Sequence, residues 1–103
     1  MQYRLRLFIT GYSTHSRRAI ENLKRICEAE LRGRHNVEVI DILENPQLAE
    51  EEKILATPTL VREYPEPVRK IIGDLSDRQR VLLGLDIMPI DTPSTFDNEE
   101  EIE

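Results

Sequence analysis

An alternating strand, an amphipathic helix and a β-branched run follow one another in the first half of the chain, and this order most constrains the fold. Residues 3–10 alternate apolar and polar side chains, the period of two that predicts a β-strand. Apolar side chains then recur at helical spacing, which predicts a helix from about Ser13 to Arg32 that ends at Gly33. Residues 37–43 read VEVIDIL, which is typical of a buried central strand. The first half is therefore predicted to form a parallel βαβ unit.

The second half is predicted to hold a short helix, two strands and a final helix. An Asn-Pro pair favours a helix over residues 46–55. Residues 57–64 and 68–75 predict two antiparallel strands, because the proline-rich linker between them is unsuited to a central strand. Ser76 and Asp77 are predicted to cap the last helix. The side chains predicted to face inward from it are Val81, Leu82 and Leu85.

The combined order, βαβ followed by αββα, resembles the thioredoxin-like arrangement. ATPTLV at 56–61 resembles the segment before the third thioredoxin strand, so a cis bond at Pro58 is expected above the general frequency of about 5 to 6%. A thioredoxin-type enzyme needs a thiolate where the first helix begins, but residues 11–16 read GYSTHS. Cys27 lies further along, on the apolar face of the helix, and is predicted to be a small buried hydrophobe. The scaffold is predicted to be redox-inert.

Other catalytic and metal-binding patterns are equally weak. His15 is predicted to be a solvated loop histidine, since sequence neighbours rarely make a catalytic triad, and His35 is predicted to lie in a solvated turn. Residues 50–52 are consecutive glutamates that point in different directions on a helix, which favours a solvated face over a metal site. The four glycines stand too far apart for a phosphate loop. We therefore predict no enzyme activity, cofactor or metal.

Charge is distributed unevenly along the chain. The 103 residues carry a formal net charge of −6, and residues 91–103 hold six acidic side chains and no basic one. We predict one domain over residues 1–90, followed by an acidic, flexible tail over 91–103. The neutral body argues against nucleic-acid binding, and no apolar run reaches the roughly 20 residues of a membrane span. These features, with a single cysteine, predict a cytoplasmic protein.

Three long segments resemble the KaiB family of cyanobacterial circadian clock proteins: residues 45–60, 67–78 and 81–86. The resemblance implies a non-enzymatic clock regulator that binds the ATPase and autokinase KaiC and opposes KaiC phosphorylation. KaiA and sensor histidine kinases are further partners that it implies. The alternative is a paralogue that acts in stress adaptation or signalling, through a KaiC-type ATPase or a histidine kinase, without a self-sustained rhythm.

The resemblance also implies a metamorphic protein with two folds that differ in the second half of the chain. The resting fold is βαββααβ, commonly a homotetramer, and the partner-binding state is a monomer with the thioredoxin-like βαβαββα order. Because concentration favours an oligomer by mass action, we expect the resting fold in the structure of the isolated chain. Slow proline isomerisation would make exchange between the folds slow. Residues implied in the fold switch are Pro58, Pro65, Pro67, Gly84 and Asp86.

Partner contacts are implied at basic positions of the family. They correspond to Arg6, Arg18, Arg62 and Arg69. Glu38 and Glu44 stand where clock members carry lysines, and the GYSTHS loop replaces their GNTPNS. Charge reversal at an interface disfavours the original partner, so Glu38 joins the predicted partner-binding set. The chain is predicted to be a divergent paralogue that serves a non-standard KaiC, or to belong to an organism that lacks KaiA. Gly84 also has a simpler interpretation, as the C-cap of the last helix.

Overall fold

The computed structural model describes residues 2–87, which form a four-stranded sheet with helices packed on both faces. In chain order the elements are β1 (Tyr3–Ile9), α1 (Thr14–Ile26), a π-helical turn (Cys27–Leu31), β2 (His35–Asp41), α2 (Pro46–Glu51), β3 (Thr59–Tyr64), β4 (Arg69–Ile72) and α3 (Arg78–Gly84). No helix in this part of the chain is long and apolar enough to cross a membrane. The predicted domain boundary at residue 90 and the tail over 91–103 lie outside the described residues.

The sheet has the strand order β2-β1-β3-β4. β1 runs parallel to β2 and antiparallel to β3, and β4 runs antiparallel to β3. Leu7, at the middle of β1, lies opposite Val39 on one side and Leu60 on the other. The predicted βαβαββα order and the antiparallel pairing of its last two strands are both confirmed.

The expectation that the isolated chain shows the resting βαββααβ fold is wrong for this structure. The second half forms α2, β3, β4 and α3 in the thioredoxin-like order. The expectation depended on self-association, and a single chain cannot supply the contacts of a second copy. Within one chain, Leu60, Ile71 and Leu85 instead bury their side chains in the cluster formed by β1 and α1. Burial of this apolar area stabilises the observed packing.

The main core lies between the sheet and the helices α1 and α3. Four alternate side chains of β1 are buried in it: Tyr3, Leu5, Leu7 and Ile9. α1 and the π-helical turn contribute a stripe at helical spacing: Ala19, Leu23, Ile26, Cys27 and Leu31. Val81 and Leu85 of the last helical segment complete it, and Leu82 packs against it partly buried. The periodicities of the sequence therefore predicted this core correctly.

A smaller core lies on the opposite face of the sheet, under α2. Phe8, Ile40 and Val61 are buried there from three neighbouring strands. Leu48 of α2 and Ile54, which follows the helix, pack over them. This face is covered at the end of β1 where Phe8 lies, whereas Arg6, one pleat away, lies outside this cluster. Beyond the smaller core, this face of the sheet therefore carries the half-buried Arg6.

β2 is an edge strand, so the prediction of a buried central strand over residues 37–43 is wrong. It pairs with β1 alone, and among its seven residues only Ile40 is buried. Val39 is 37% exposed. β-branched residues suit any pleated, half-buried surface, so their run did not distinguish an edge from a centre. β1 and β3 are the central strands, because β1 pairs with both β2 and β3, and β3 pairs with both β1 and β4.

α2 is shorter than predicted and ends at Glu51 rather than near residue 55. Lys53 adopts a left-handed conformation with φ 57°, and the Ile54 amide donates to the carbonyl of Ala49 at 2.9 Å. This pair of features is a Schellman-type ending, which turns Ile54 toward the smaller core. Asn45 precedes the helix as predicted, but its side chain makes no capping hydrogen bond.

Three proline peptide bonds are cis: Thr57-Pro58, Tyr64-Pro65 and Glu66-Pro67. Pro58 is buried where β3 begins, and its carbonyl accepts a hydrogen bond from the Gly73 amide at 2.9 Å. The cis bond predicted at Pro58 is confirmed. All three prolines precede or join the strands of the second half, as the sequence placed them.

Candidate partner-binding surface

The loop between β1 and α1 contacts the cis-proline segment, where a thioredoxin carries its redox site. The hydroxyl oxygens of Thr10 and Thr57 are 2.6 Å apart and join the two loops. Ser13 caps α1, and its Oγ accepts a hydrogen bond from the amide of Ser16 at 3.2 Å. Hydroxyl groups cannot cycle between dithiol and disulfide. This end of the sheet therefore holds hydroxyls at the helix start, where a thioredoxin carries thiols.

Cys27 lies in the main core, 3% exposed, at the start of the π-helical turn. Burial, and secondarily the negative charge of Glu28, raises the pKa of this thiol to about 11. A thiol with such a pKa stays protonated at neutral pH, which makes it a poor nucleophile. The prediction that Cys27 is a small buried hydrophobe is confirmed.

The two histidines and the three consecutive glutamates do not form a site together. His15 is exposed in the first turn of α1 rather than in a loop, and His35 begins β2 and is half-buried rather than in a turn. Glu50 and Glu51 are exposed, as predicted for a solvated face. Within residues 2–87, no three side chains of the types His, Cys, Asp and Glu are grouped so that they could hold a metal ion.

A half-buried charge cluster surrounds Arg6 on the sheet face that also holds the smaller core. Its Nε lies 3.3 Å from Oε1 of Glu38 on β2 and 3.1 Å from Oε2 of Glu63 on β3. Its Nη1 lies 3.9 Å from Oε2 of Glu52, which follows α2. Three carboxylates thus surround one guanidinium that is only 27% exposed. A partner that approaches this face meets these carboxylates together with Lys70, whose Nζ donates to the carbonyl of Glu52 at 2.6 Å, whereas Arg6 was predicted as a basic contact.

Sequence reasoning found two members of this cluster and missed the others. Arg6 and Glu38 were singled out separately, and the parallel register of β1 and β2 places them opposite each other. Glu52 was assigned to a solvated face, yet it is half-buried and contacts Arg6. Glu63 was not identified. The period of two along β3 puts it on the same face as Val61, which lies opposite Arg6, and this was the available signal.

The two acidic positions that replace lysines differ in their surroundings. The Glu38 side chain is 61% exposed but forms an ion pair with Arg6. Glu44 is exposed in the turn after β2, where its backbone amide donates to the carbonyl of Asp41 at 3.0 Å. That hydrogen bond uses the backbone and leaves the carboxylate available for an external contact. Glu44 therefore presents a reversed charge more directly than Glu38 does.

Two of the predicted arginines are accessible on the surface. Arg18, on α1, is 54% exposed, and its Nη1 lies 3.6 Å from Oδ2 of Asp74. Hydrogen bonds from Ser76 and the charge of Arg18 lower the pKa of Asp74 below its ordinary value. Arg69 is exposed at the start of β4. Both side chains can reach an acidic partner with little rearrangement of the fold.

Arg62 is buried, at 3% exposure, whereas Arg69, which lies opposite it in the register of β3 and β4, is exposed. Its Nη1 donates to the carbonyls of Leu85 at 2.7 Å and Asp86 at 3.1 Å, and its Nη2 donates to the carbonyl of Pro67 at 2.8 Å. The antiparallel register places Arg62 opposite Leu5, which explains its inward direction. Strand alternation with Leu60 was the sequence signal for this burial.

The remaining fold-switch candidates, Gly84 and Asp86, lie at the end of α3. The interpretation of Gly84 as the C-cap is wrong, because Gly84 is the last residue of the helix and does not adopt the left-handed conformation that follows many helices. Asp86 takes that conformation instead, with φ 56°. Its amide donates to the carbonyl of Leu83 at 3.1 Å, and the Ile87 amide donates to that of Leu82 at 2.9 Å. These two bonds form a Schellman motif, and Ile87 at its end is again buried in the main core.

The sequence matches a protein-family model described as the KaiB domain over residues 6–87. It is 58% identical over 85 residues to the circadian clock protein KaiB3 of Synechocystis sp., which covers 82% of this chain and 83% of that protein. It is also 59% identical over 86 residues to the circadian clock oscillator protein KaiB of Nostoc sp., which covers 84% of this chain and 80% of that protein.

Solved structures with the same fold include the N-terminal domain of Synechococcus elongatus SasA, with a TM-score of 0.68 and 27% identity over 81% of this chain and 80% of that chain. Mitochondrial thioredoxin 3 of Saccharomyces cerevisiae gives a TM-score of 0.67 at 20% identity, over 82% of this chain and 77% of that chain, and this likeness concerns the fold alone. The fold is thus thioredoxin-like, while the family model and the sequence relatives identify the protein family. The chain belongs to the KaiB family of circadian clock proteins.

Proposed function

We propose that this chain is a non-enzymatic clock regulator that binds a KaiC-type ATPase and opposes its phosphorylation. The proposal includes exchange between the thioredoxin-like fold and a resting homo-oligomer, a tetramer or a dimer, in the cytoplasm. KaiA and sensor histidine kinases are the further partners in this proposal. Pro58, Pro65 and Pro67 are the proposed pivots of the exchange, together with Gly84 and Asp86.

The observation that carries the proposal is the thioredoxin-like order of the second half in a chain of the KaiB family. The family resemblance associates this order with the partner-binding state. The SasA N-terminal domain is similar in structure, with a TM-score of 0.68 at 27% identity, which supports a common docking shape. The stress-signalling alternative has weaker support, because the Synechocystis and Nostoc relatives are both described as circadian clock proteins.

The accessible cations favour a contact surface that includes α1. Arg18 and Arg69 are exposed, whereas Arg6 is surrounded by carboxylates and Arg62 is buried. We therefore propose Arg18 and Arg69 as direct partner contacts. Glu38 belongs to the contact surface as the exposed member of the Arg6 cluster.

Binding is tested by mixing the full chain with the KaiC-type ATPase of the same organism and ATP, followed by native mass spectrometry over time. The expected result is a slowly formed complex, together with faster loss of phosphate from the ATPase. A mixture that stays dissociated and leaves phosphorylation unchanged contradicts the proposal.

A matched pair of variants tests the contact surface. Arg18→Ala is expected to weaken the complex, whereas Arg17→Ala, which removes an exposed arginine at the adjacent position of α1, is expected to bind normally. Because isolated surface charges contribute little to stability, both variants should stay folded. Equal losses of affinity in the two variants would show that only total charge matters.

A further inference from the structure

We infer that Arg62 is an internal clamp that holds the end of α3 and the β3–β4 loop against the sheet. Releasing it would open these two segments together while β1 and α1 stay folded. The inference concerns the conformation of the isolated chain and does not depend on the proposed function.

The guanidinium of Arg62 bonds to backbone groups of other segments. Its three hydrogen bonds, of 2.7, 2.8 and 3.1 Å, reach only carbonyl oxygens, and all three acceptors lie outside β3. Leu85 and Asp86 follow α3, and Pro67 lies in the loop before β4. The side chain of Arg62 therefore joins β3 to two other segments, the end of α3 and the loop before β4.

The positive charge of Arg62 is compensated only in part. A buried guanidinium is costly to desolvate, and no carboxylate contacts Arg62 among the described residues. The carbonyls at a helix C-terminus carry partial negative charge and compensate part of that cost. Nε of Arg62 is buried without a hydrogen-bond partner, so the group is already incompletely satisfied. Loss of even one more acceptor leaves the charge poorly compensated, which favours release of the whole clamp at once.

The clamped segment is anchored in the main core beside Arg62. α3 has seven residues, and beyond it the chain turns through the left-handed Asp86. Leu85, whose carbonyl accepts the shortest of the three bonds, is fully buried in the main core. The clamp thus closes directly over the buried Leu85, and its release would let water reach the hydrogen bonds of the Schellman motif.

Hydrogen exchange of the full chain with the variant Arg62→Met tests the clamp. The reporters are the amides of Asp86 and Ile87, which close the Schellman motif, and the reference is the amide of Leu7 in the central strand β1. We expect exchange at the two reporters to accelerate by at least about tenfold, with little change at Leu7, since hydrogen bonds to a charged group are lost locally. Acceleration by one common factor at all three amides would mean that Arg62 only adds to global stability and would overturn the inference, as would unchanged exchange.

Two further variants keep the test decisive. Arg69→Met removes an arginine that pairs with Arg62 in the register of β3 and β4 but is exposed, and it should leave the reporters unchanged. Arg62→Lys keeps the charge but lacks the planar fork that bridges separated acceptors, so it should accelerate the same reporters. If Arg62→Met does not fold, unchanged reporter exchange in Arg62→Lys overturns the inference. Equal acceleration by Arg69→Met also overturns it.

Discussion

A methyl group added at Gly84 measures how closely α3 packs on β4. An ideal Cβ at this position lies 2.7 Å from Cδ1 of Ile71 and 3.5 Å from its Cγ1, whereas ordinary contacts of this kind begin at 3.4 Å. Ile71 is 8% exposed, so its side chain has little free space. In Gly84→Ala the Cδ1 atom must therefore rotate away, or the helix must shift.

The two opposing energies are similar in size. Alanine is favoured over glycine in a helix by about 1 kcal/mol. Forcing Ile71 away from its rotamer costs about 0.5 to 1.5 kcal/mol. We therefore expect Gly84→Ala alone to change the free energy of unfolding by less than about 1 kcal/mol. In an Ile71→Val background the conflicting Cδ1 is absent, so Gly84→Ala should show the helix preference of about 1 kcal/mol in full. The coupling between the two positions should equal the relieved steric cost of about 0.5 to 1.5 kcal/mol, because the helix preference is the same in both backgrounds.

The assay is a double-mutant cycle in which urea unfolding is followed by far-UV circular dichroism for the wild type, both single variants and the double variant. The matched control replaces Ile71→Val with Ile72→Val, which changes the next residue of β4, whose side chain is 53% exposed. Its coupling to Gly84→Ala should be near zero. Additivity within about 0.3 kcal/mol in the Ile71 cycle, or equal coupling in both cycles, refutes the packing argument.

Three other predictions concern the switch, the partner and the thiol. Gly84→Ala combined with Asp86→Arg should favour the thioredoxin-like monomer and speed partner binding, so an unchanged size-exclusion mass and unchanged kinetics would contradict the fold-switch proposal. Glu44→Lys should change partner affinity, measured by calorimetry, more than Glu38→Lys does, because Glu38 is already ion-paired; equal effects would assign both positions the same role. Folding raises the pKa of Cys27 from 9.0 to about 11, so above pH 9 the thiol ionises first in the unfolded chain, and the free energy of unfolding should fall as pH rises to 11. In urea titrations at pH values between 9 and 11, the free energy of unfolding of Cys27→Ala should fall less with pH than that of the wild type.

Much of the fold could be predicted from local patterns. β1, α1 and α3 each bury a stripe set by a period of two or of 3.6, and these stripes were read directly from residues such as Leu5, Leu23 and Val81. β2 was misplaced because Val37 and Val39 favour a strand anywhere in a sheet. Its edge position depends on β3 pairing with β1, a contact between residues far apart in the chain.

The candidate site was less predictable, because it depends on which charges meet. Arg6 and Arg62 are both strand arginines, yet the structure surrounds the first with carboxylates and the second with carbonyls. Their opposite surroundings follow from the side of the sheet that each one faces. Residues of the fold switch could be named only through family resemblance, since nothing in the local sequence of Asp86 requires a left-handed turn.

The sequence by itself determined the order of elements, the apolar stripes and the family, because these depend on short-range periodicity and on long matching segments. Tertiary structure alone decided whether each charged side chain is buried, ion-paired or exposed. Packing puts the guanidinium of Arg62 inside the domain, places Arg6 among three glutamates and leaves Glu44 exposed. The physical reason is that a charge acquires its effect from the dielectric and the partners around it, and these come from segments brought together only when the chain folds.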